Sequence, residues 1–353
     1  ALQKVHPAYE EDASLGLADD RDVVVTLLGS NLPAAYLDEA EPSLLMERAS
    51  RWWQRLIFTL RFALVLALLG GYPLMMVLSH KVDSSPVPTP SEAVWNSPET
   101  AITLTLIGRE ETGAGWAMDQ AWWHPQARLT ALPAWQEGLT SALSDYILLT
   151  AQTVTPVDLA PDADLMAAGR LLAPVSDSPA EARMRAAAQA LQRYDGRLSR
   201  SLAAAPVGID AVQQELDLFI AWGIAAELDL RAASGSDDGW PASRADIETI
   251  YKARGQAHVA AELLNGSFIA EPTLTTSRDV AEAKENALIA WRKAANFNPL
   301  FVSSPGATEG FLSDHPATLA WYIAEAKEAT IALKTALNAQ AKSTPELLAN
   351  VTP

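Results

Sequence analysis

Apolar positions are distributed along this chain in two different ways. Between Leu56 and Ser79 they form one nearly unbroken run, LIFTLRFALVLALLGGYPLMMVLS, interrupted only by Arg61, Tyr72 and a few small polar residues. At about 1.5 Å per residue such a run makes a helix of roughly 36 Å, enough to cross a hydrocarbon core of about 30 Å with some tilt. Beyond residue 97 the apolar residues instead recur at helical spacing. Ser97, Pro98 and Glu99 open a helix to about Glu111, with Ile102 and Leu106 on one face. Trp135, Leu139, Leu143, Tyr146 and Leu149 line a second helix. Met184, Ala187, Leu191, Tyr194, Leu198 and Leu202 form a near-heptad seam on a third. Val212, Leu216, Phe219, Gly223, Ala226 and Leu230 define another. Ser243 with Asp246 resembles a capping box, opening a helix through Ile247, Ile250, His258 and Leu263. Ser277 opens one carrying Val280, Ala287, Leu288 and Trp291. Asp314 caps the last, whose face is Leu319, Ile323, Ala326, Thr330, Leu333 and Leu337. No run of alternating strands separates them, so the expected fold is all-α: a single transmembrane helix followed by an antiparallel helical bundle.

The flanks of the long apolar run are those of a membrane span rather than of a buried core helix. Arg48, Arg51 and Arg55 precede it with Trp52 and Trp53 among them, and Arg61 lies one turn inside, where its stem can return the guanidinium to the headgroups. The positive-inside rule then makes the N-terminal arm cytoplasmic and exports the C-terminal part. About 50 residues precede the run and no small-residue cleavage site follows it, which fits an uncleaved signal anchor better than a signal peptide. The opening Ala1 is what loss of an initiator Met before a small residue leaves. Within the run Ala63, Ala67 and Gly71 recur every four residues and form a candidate face for close approach of another helix. Pro73, next to Gly70 and Gly71, predicts a kink or local loosening.

The expected organisation is therefore an acidic cytoplasmic arm (1–47), the transmembrane helix with its basic and aromatic flank (48–80), a Pro-rich spacer (81–97), a periplasmic helical domain (98–345) and a tail (346–353). The arm contains Val23 to Leu28, a β-branched run suited to joining a partner's sheet edge or docking as a hydrophobic peptide on a cytoplasmic partner. Pro33 to Trp53 reads as a helix broken or kinked at Pro42. In the spacer Pro86, Pro88 and Pro90 favour a stiff extended chain, which if straight holds the domain roughly 30 to 40 Å from the span.

Charge narrows the function. The net charge of −17 divides into −8 over residues 1–47 and −13 over 62–353, separated by four arginines. Both soluble parts are acidic, which disfavours nucleic acid as a partner. The chain has no Cys, which removes disulfides, thiolate metal sites and a Cys nucleophile. His6, His80, His124, His258 and His315 are scattered without metal-ligand spacing, no phosphate loop or Gly-x-Ser-x-Gly elbow occurs, and no cofactor is expected. Glu110 with Glu111, and Asp237 with Asp238, read as solvated charge runs. The most unusual local cluster is aromatic: Trp116, Trp122, Trp123 and His124 are a candidate platform for a sugar, lipid or partner peptide, or else an irregular aromatic segment packed into the domain.

Three segments together resemble a bacterial single-pass inner-membrane family known only as domain of unknown function 2333. They are Tyr72-Pro73-Leu74-Met75-Met76 through His80-Lys81-Val82-Asp83, the Trp-rich segment ending in Leu132-Pro133-Ala134-Trp135-Gln136-Glu137-Gly138, and the helix around Arg193-Tyr194-Asp195-Gly196-Arg197-Leu198. The resemblance runs from about residue 60 to residue 265 and implies an inner-membrane protein of a Gram-negative bacterium with a periplasmic helical domain. It carries over no catalytic residues. The function expected is non-enzymatic: a structural, assembly or accessory subunit of an envelope complex, self-associating or joined to other membrane subunits. The alternatives are an envelope enzyme acting on peptidoglycan or lipid, with carboxylates or His124 in a cleft, and a periplasmic sensor. A converging polar cleft with perturbed carboxylates near Trp122 to Pro125 would favour the enzyme.

Overall fold

The computed structural model describes residues 44–91, 94–156, 159–174, 179–234, 242–299, 302–303 and 314–351. Residues 1–43 of the acidic arm, with Val23 to Leu28, and the Asp237–Asp238 pair lie outside the described residues. The chain divides into two units, residues 1–68 and 69–353.

In the first unit the described residues are helical. Helix α1 covers Leu44–Leu66. Trp52, Trp53, Phe58, Leu60, Phe62, Leu64, Val65 and Leu66 are all exposed, although a water-facing helix of a globular protein keeps an apolar stripe covered. The stretch Arg48–Leu78 is long and apolar enough to cross a membrane, and its most apolar window buries nothing.

A π-helical turn at Ala67–Gly71 precedes α2 (Tyr72–Ser79), the first helix that lies wholly in the second unit. The cause is Pro73, which has no N–H to give residue 69 and whose ring crowds that carbonyl; the wider turn relieves the clash. The expected loosening is thus present as a π turn.

The remaining helices are α3 (Pro98–Thr112), α4 (Ala131–Thr153), α5 (Ala163–Leu172), α6 (Ala180–Leu198), α7 (Gly208–Ser234), α8 (Arg244–Ala270), α9 (Arg278–Ala295) and α10 (His315–Val351). No strand occurs among the described residues. Their starts follow from the caps: the Ser97 side chain accepts the Thr100 N–H, Ser243 and Asp246 form a reciprocal capping box, and Asp314 Oδ1 accepts the Ala317 N–H. Helix α5, capped by Asp162, is absent from the periodic reading because its 10 residues give too short a pattern. Helix α6 ends at Leu198, so Leu202, expected at the end of its seam, lies beyond the helix and is exposed. Helix α10 continues to Val351, past the expected domain end at 345.

Helix α8 is the centre of the packing: α3, α4, α7, α9 and α10 all touch it. Its closest neighbour is α4, and glycine makes the approach feasible. A Cβ on Gly138 would come 2.2 Å from the Lys252 carbonyl oxygen, and one on Gly255 would come 2.5 Å from that of Trp135. The two backbones therefore meet directly, each lacking a side chain where the other crosses. Around this crossing, Trp135, Leu139, Leu143, Phe219, Ile250, Leu263, Trp291 and Leu333 fill one continuous core. Trp291 Nε1 donates to Thr330 Oγ1 at 2.9 Å, which explains a threonine on the buried face of α10.

The Pro-rich stretch is extended as expected, yet it does not stand the bundle off. Residues 81–91 are laid along the bundle surface as a strap. Val87 is buried and its N–H donates to Glu262 Oε2 on α8 at 2.8 Å. Arg109 on α3 donates to the carbonyls of Ser85 (2.6 Å) and Pro86 (2.9 Å), and Ser84 Oγ bonds Asn296 Oδ1 at 2.8 Å. The expected 30 to 40 Å separation required a free, straight chain; prolines leave carbonyls without competing intrachain partners, and Arg109 uses two carbonyls of this stretch.

Candidate functional site

Two polar groupings are buried in the bundle, and neither lies where the aromatic cluster suggested. The first joins α3, α4, α7 and α8. Glu99 opens α3 beside its cap, and its Oε2 accepts the Ser97 hydroxyl at 2.9 Å. Glu215 stands on the apolar stripe of α7, between Val212 and Phe219, with Oε2 accepting the Ser267 hydroxyl at 2.5 Å and Oε1 without a partner. Burial pushes the Glu215 carboxyl well above the usual carboxylate range against the Ser267 hydrogen bond, and Glu99 nearby pushes it further. Burial likewise raises Glu99, opposed by hydrogen bonds from its own backbone and Ser97 and reinforced by Glu271. Tyr146 beside them is raised well above its ordinary value by burial and by both carboxylates. A groove of about 390 Å³ opens onto Glu99, walled by Trp95, Pro98, Pro206, Val207 and Glu271. Buried carboxyls with displaced titrations beside an open groove can hold and release a proton.

The second grouping lies under the strap on α8, where Tyr251, Arg254, His258 and Glu262 follow one another on one helical face. The guanidinium of Arg254 lies over the rings of Tyr251 (4.7 Å) and Trp135 (5.7 Å) and donates to the Ala295 carbonyl. His258 stacks on Trp135 at 5.5 Å with Nε2 buried and unpartnered. Burial first, then Arg109, lowers its pKa to about 4, so the ring is neutral at pH 7. Neighbouring Glu110 is buried, accepting Trp135 Nε1 at 3.0 Å and Gln136 Nε2 at 2.8 Å. Its reading as part of a solvated charge run is corrected: Glu111 is exposed, but Glu110 faces inward and ties α3 to α4.

The aromatic candidates separate. Trp116 is buried at 5% exposure and lines a cleft with Met118, Gln136, Arg183 and Met184. Trp122 and Trp123 are 76% and 63% exposed. His124 is half-buried, and its Nδ1 accepts the Gln126 N–H at 3.3 Å, capping a 3₁₀ turn at Pro125–Arg128. Trp116, Trp122, Trp123 and His124 thus do not share one platform. Arg48, Arg51, Arg55 and Arg61 are exposed on α1 with Trp52 and Trp53. Ala63 and Ala67 are exposed and Gly71 half-buried, leaving their face uncovered. No group of three His, Asp or Glu that could hold a metal occurs among the described residues.

Sequence reasoning missed Glu99, Glu215 and Ser267. The available signal was Glu215 itself, a carboxylate three residues after Val212 and four before Phe219, inside an otherwise apolar stripe. Comparison of the chain with models of protein families, with curated proteins and with solved structures found no match.

Proposed function

We propose that this chain is a single-pass inner-membrane protein of the resembled family, with its arm in the cytoplasm and its bundle in the periplasm. There it acts as a non-enzymatic structural or assembly subunit of an envelope complex. The observation that carries this reading is the strap. Chain leaving the apolar helix is hydrogen-bonded to α3, α8 and the end of α9 within a few residues, which suits a subunit that must present its bundle at a fixed place. The arginines and tryptophans of α1 supply the orientation, and the uncovered Ala63 and Ala67 face supplies a surface for another helix or a second copy. Gentle extraction from native membranes, with sizing and mass spectrometry of what co-migrates, tests it. A defined particle larger than one chain is the expected outcome; a lone monomer across mild detergents would overturn it.

The alternative is an envelope hydrolase, favoured by the raised carboxyl of Glu99 at the mouth of the groove. It predicts release of soluble fragments from peptidoglycan or lipid substrates by the intact chain, abolished in Glu99→Gln.

A further inference from the structure

We propose that Trp122 and Trp123 form an interfacial anchor that seats the bundle on the bilayer surface beside the point where the apolar helix leaves it. This rests on the membrane-spanning reading and adds a second contact with the lipid. Both indoles are exposed, as is Met118 in the neighbouring 3₁₀ turn Ala117–Asp119. Three large apolar side chains exposed within residues 118–123 call for a partner.

The partner is indicated by what this segment touches. The turn Pro125–Arg128, separated from the two tryptophans only by its cap His124, packs against α2, the last turns of the apolar stretch. Helix α2 itself leaves Leu74, Met75, Val77 and Leu78 exposed, so lipid must reach to its final turn. The segment is held there firmly: Pro125 and Gln126 are buried, His124 caps the turn, and Arg128 Nε donates to the Trp122 carbonyl at 3.2 Å. The indoles are therefore presented close to the level where headgroups meet hydrocarbon. That is the environment an indole prefers, with its flat apolar body among the chains and its N–H among phosphates and carbonyls. Charge cannot supply this contact, because residues 62–353 carry a net −13 and an anionic leaflet does not attract them. Aromatic insertion remains as the route.

The absence of cysteine makes the test direct. Single variants Met118→Cys, Leu69→Cys and Ile289→Cys of the full chain carry an environment-sensitive fluorophore in vesicles of phosphatidylethanolamine and phosphatidylglycerol. Nitroxide lipids quench either at the headgroup or along the acyl chain. The label at 69 should be quenched by the acyl-chain nitroxide, that at 118 chiefly by the headgroup nitroxide, and that at 289 by neither. Adding Trp122→Ala and Trp123→Ala, which remove exposed side chains only, should abolish quenching at 118 while leaving 69 unchanged. Quenching at 69 with none at 118 overturns the anchor and leaves the span standing. No quenching at 69 overturns the span, and the anchor with it. A label at 118 shielded from water yet unquenched by lipid would mean that protein covers the indoles, which also overturns the proposal.

Discussion

Glu215 occupies the place on α7 where another leucine would complete the stripe, and its titration shows in the stability. Its pKa is raised in the folded chain above the value it has unfolded. Its contribution is therefore fully present below the unfolded value and is lost as pH rises toward the folded one, because the folded state holds a proton that the unfolded state releases. Glu99 and Glu110 have the same sign. Glu215→Gln keeps the shape without the ionisation. It should be close to neutral at pH 4 and more stable than the parent by roughly 1 kcal/mol or more at pH 8. Urea unfolding of the detergent-solubilised chain across that range measures the difference; one that stays constant with pH means that Glu215 is ionised when folded. Residues of this kind were the least legible in the sequence. Glu110 and Glu111 are adjacent and chemically alike, yet one holds two buried donors and the other faces water. Only the direction in which α3 meets α4 separates them. The same limit applies to Trp116 against Trp122 and Trp123.

Helices were legible where capping chemistry and periodicity agree. Ser97, Ser243 and Asp314 mark starts with side chains that meet backbone N–H groups, and α7 and α10 bury every residue assigned to their faces. Pro73 announced its disturbance because a missing N–H is a local property. Crossings were not legible, since Gly138 and Gly255 look like ordinary helix-weakening residues until the two helices are seen to touch there. By helix propensity alone Gly138→Ala would stabilise α4 by about 1 kcal/mol. At this crossing the sign should reverse: the added methyl meets backbone that cannot move aside, and a loss of about 1–3 kcal/mol or more is expected. Thermal or urea unfolding of Gly138→Ala beside Gly108→Ala, where a Cβ meets nothing within 4 Å, separates the two effects.

Across the whole molecule, the placement of a membrane-length helix before a helical bundle could be read from the pattern, because span length and amphipathic period are set by the solvent on either side. The fate of the Pro-rich stretch could not, because proline fixes the backbone but does not say whether the chain lies free or on a surface. The strap has its own test. Arg109→Ala removes the bonds to Ser85 and Pro86, and Glu262→Gln weakens the one to Val87. The double variant should be cut by a broad-specificity protease within residues 81–91 at least several-fold faster than the parent, with the bundle still folded by circular dichroism. Equal cutting rates would mean that the remaining contacts alone secure the strap.

A domain hung on seventeen free residues could sweep a hemisphere and grasp targets anywhere within its radius. This bundle, stitched down from residue 82 onward, has almost no such search volume. In the membrane reading its working height is the thickness of the bundle itself, so whatever it joins must come to the bilayer to meet it, or be carried there in the same plane.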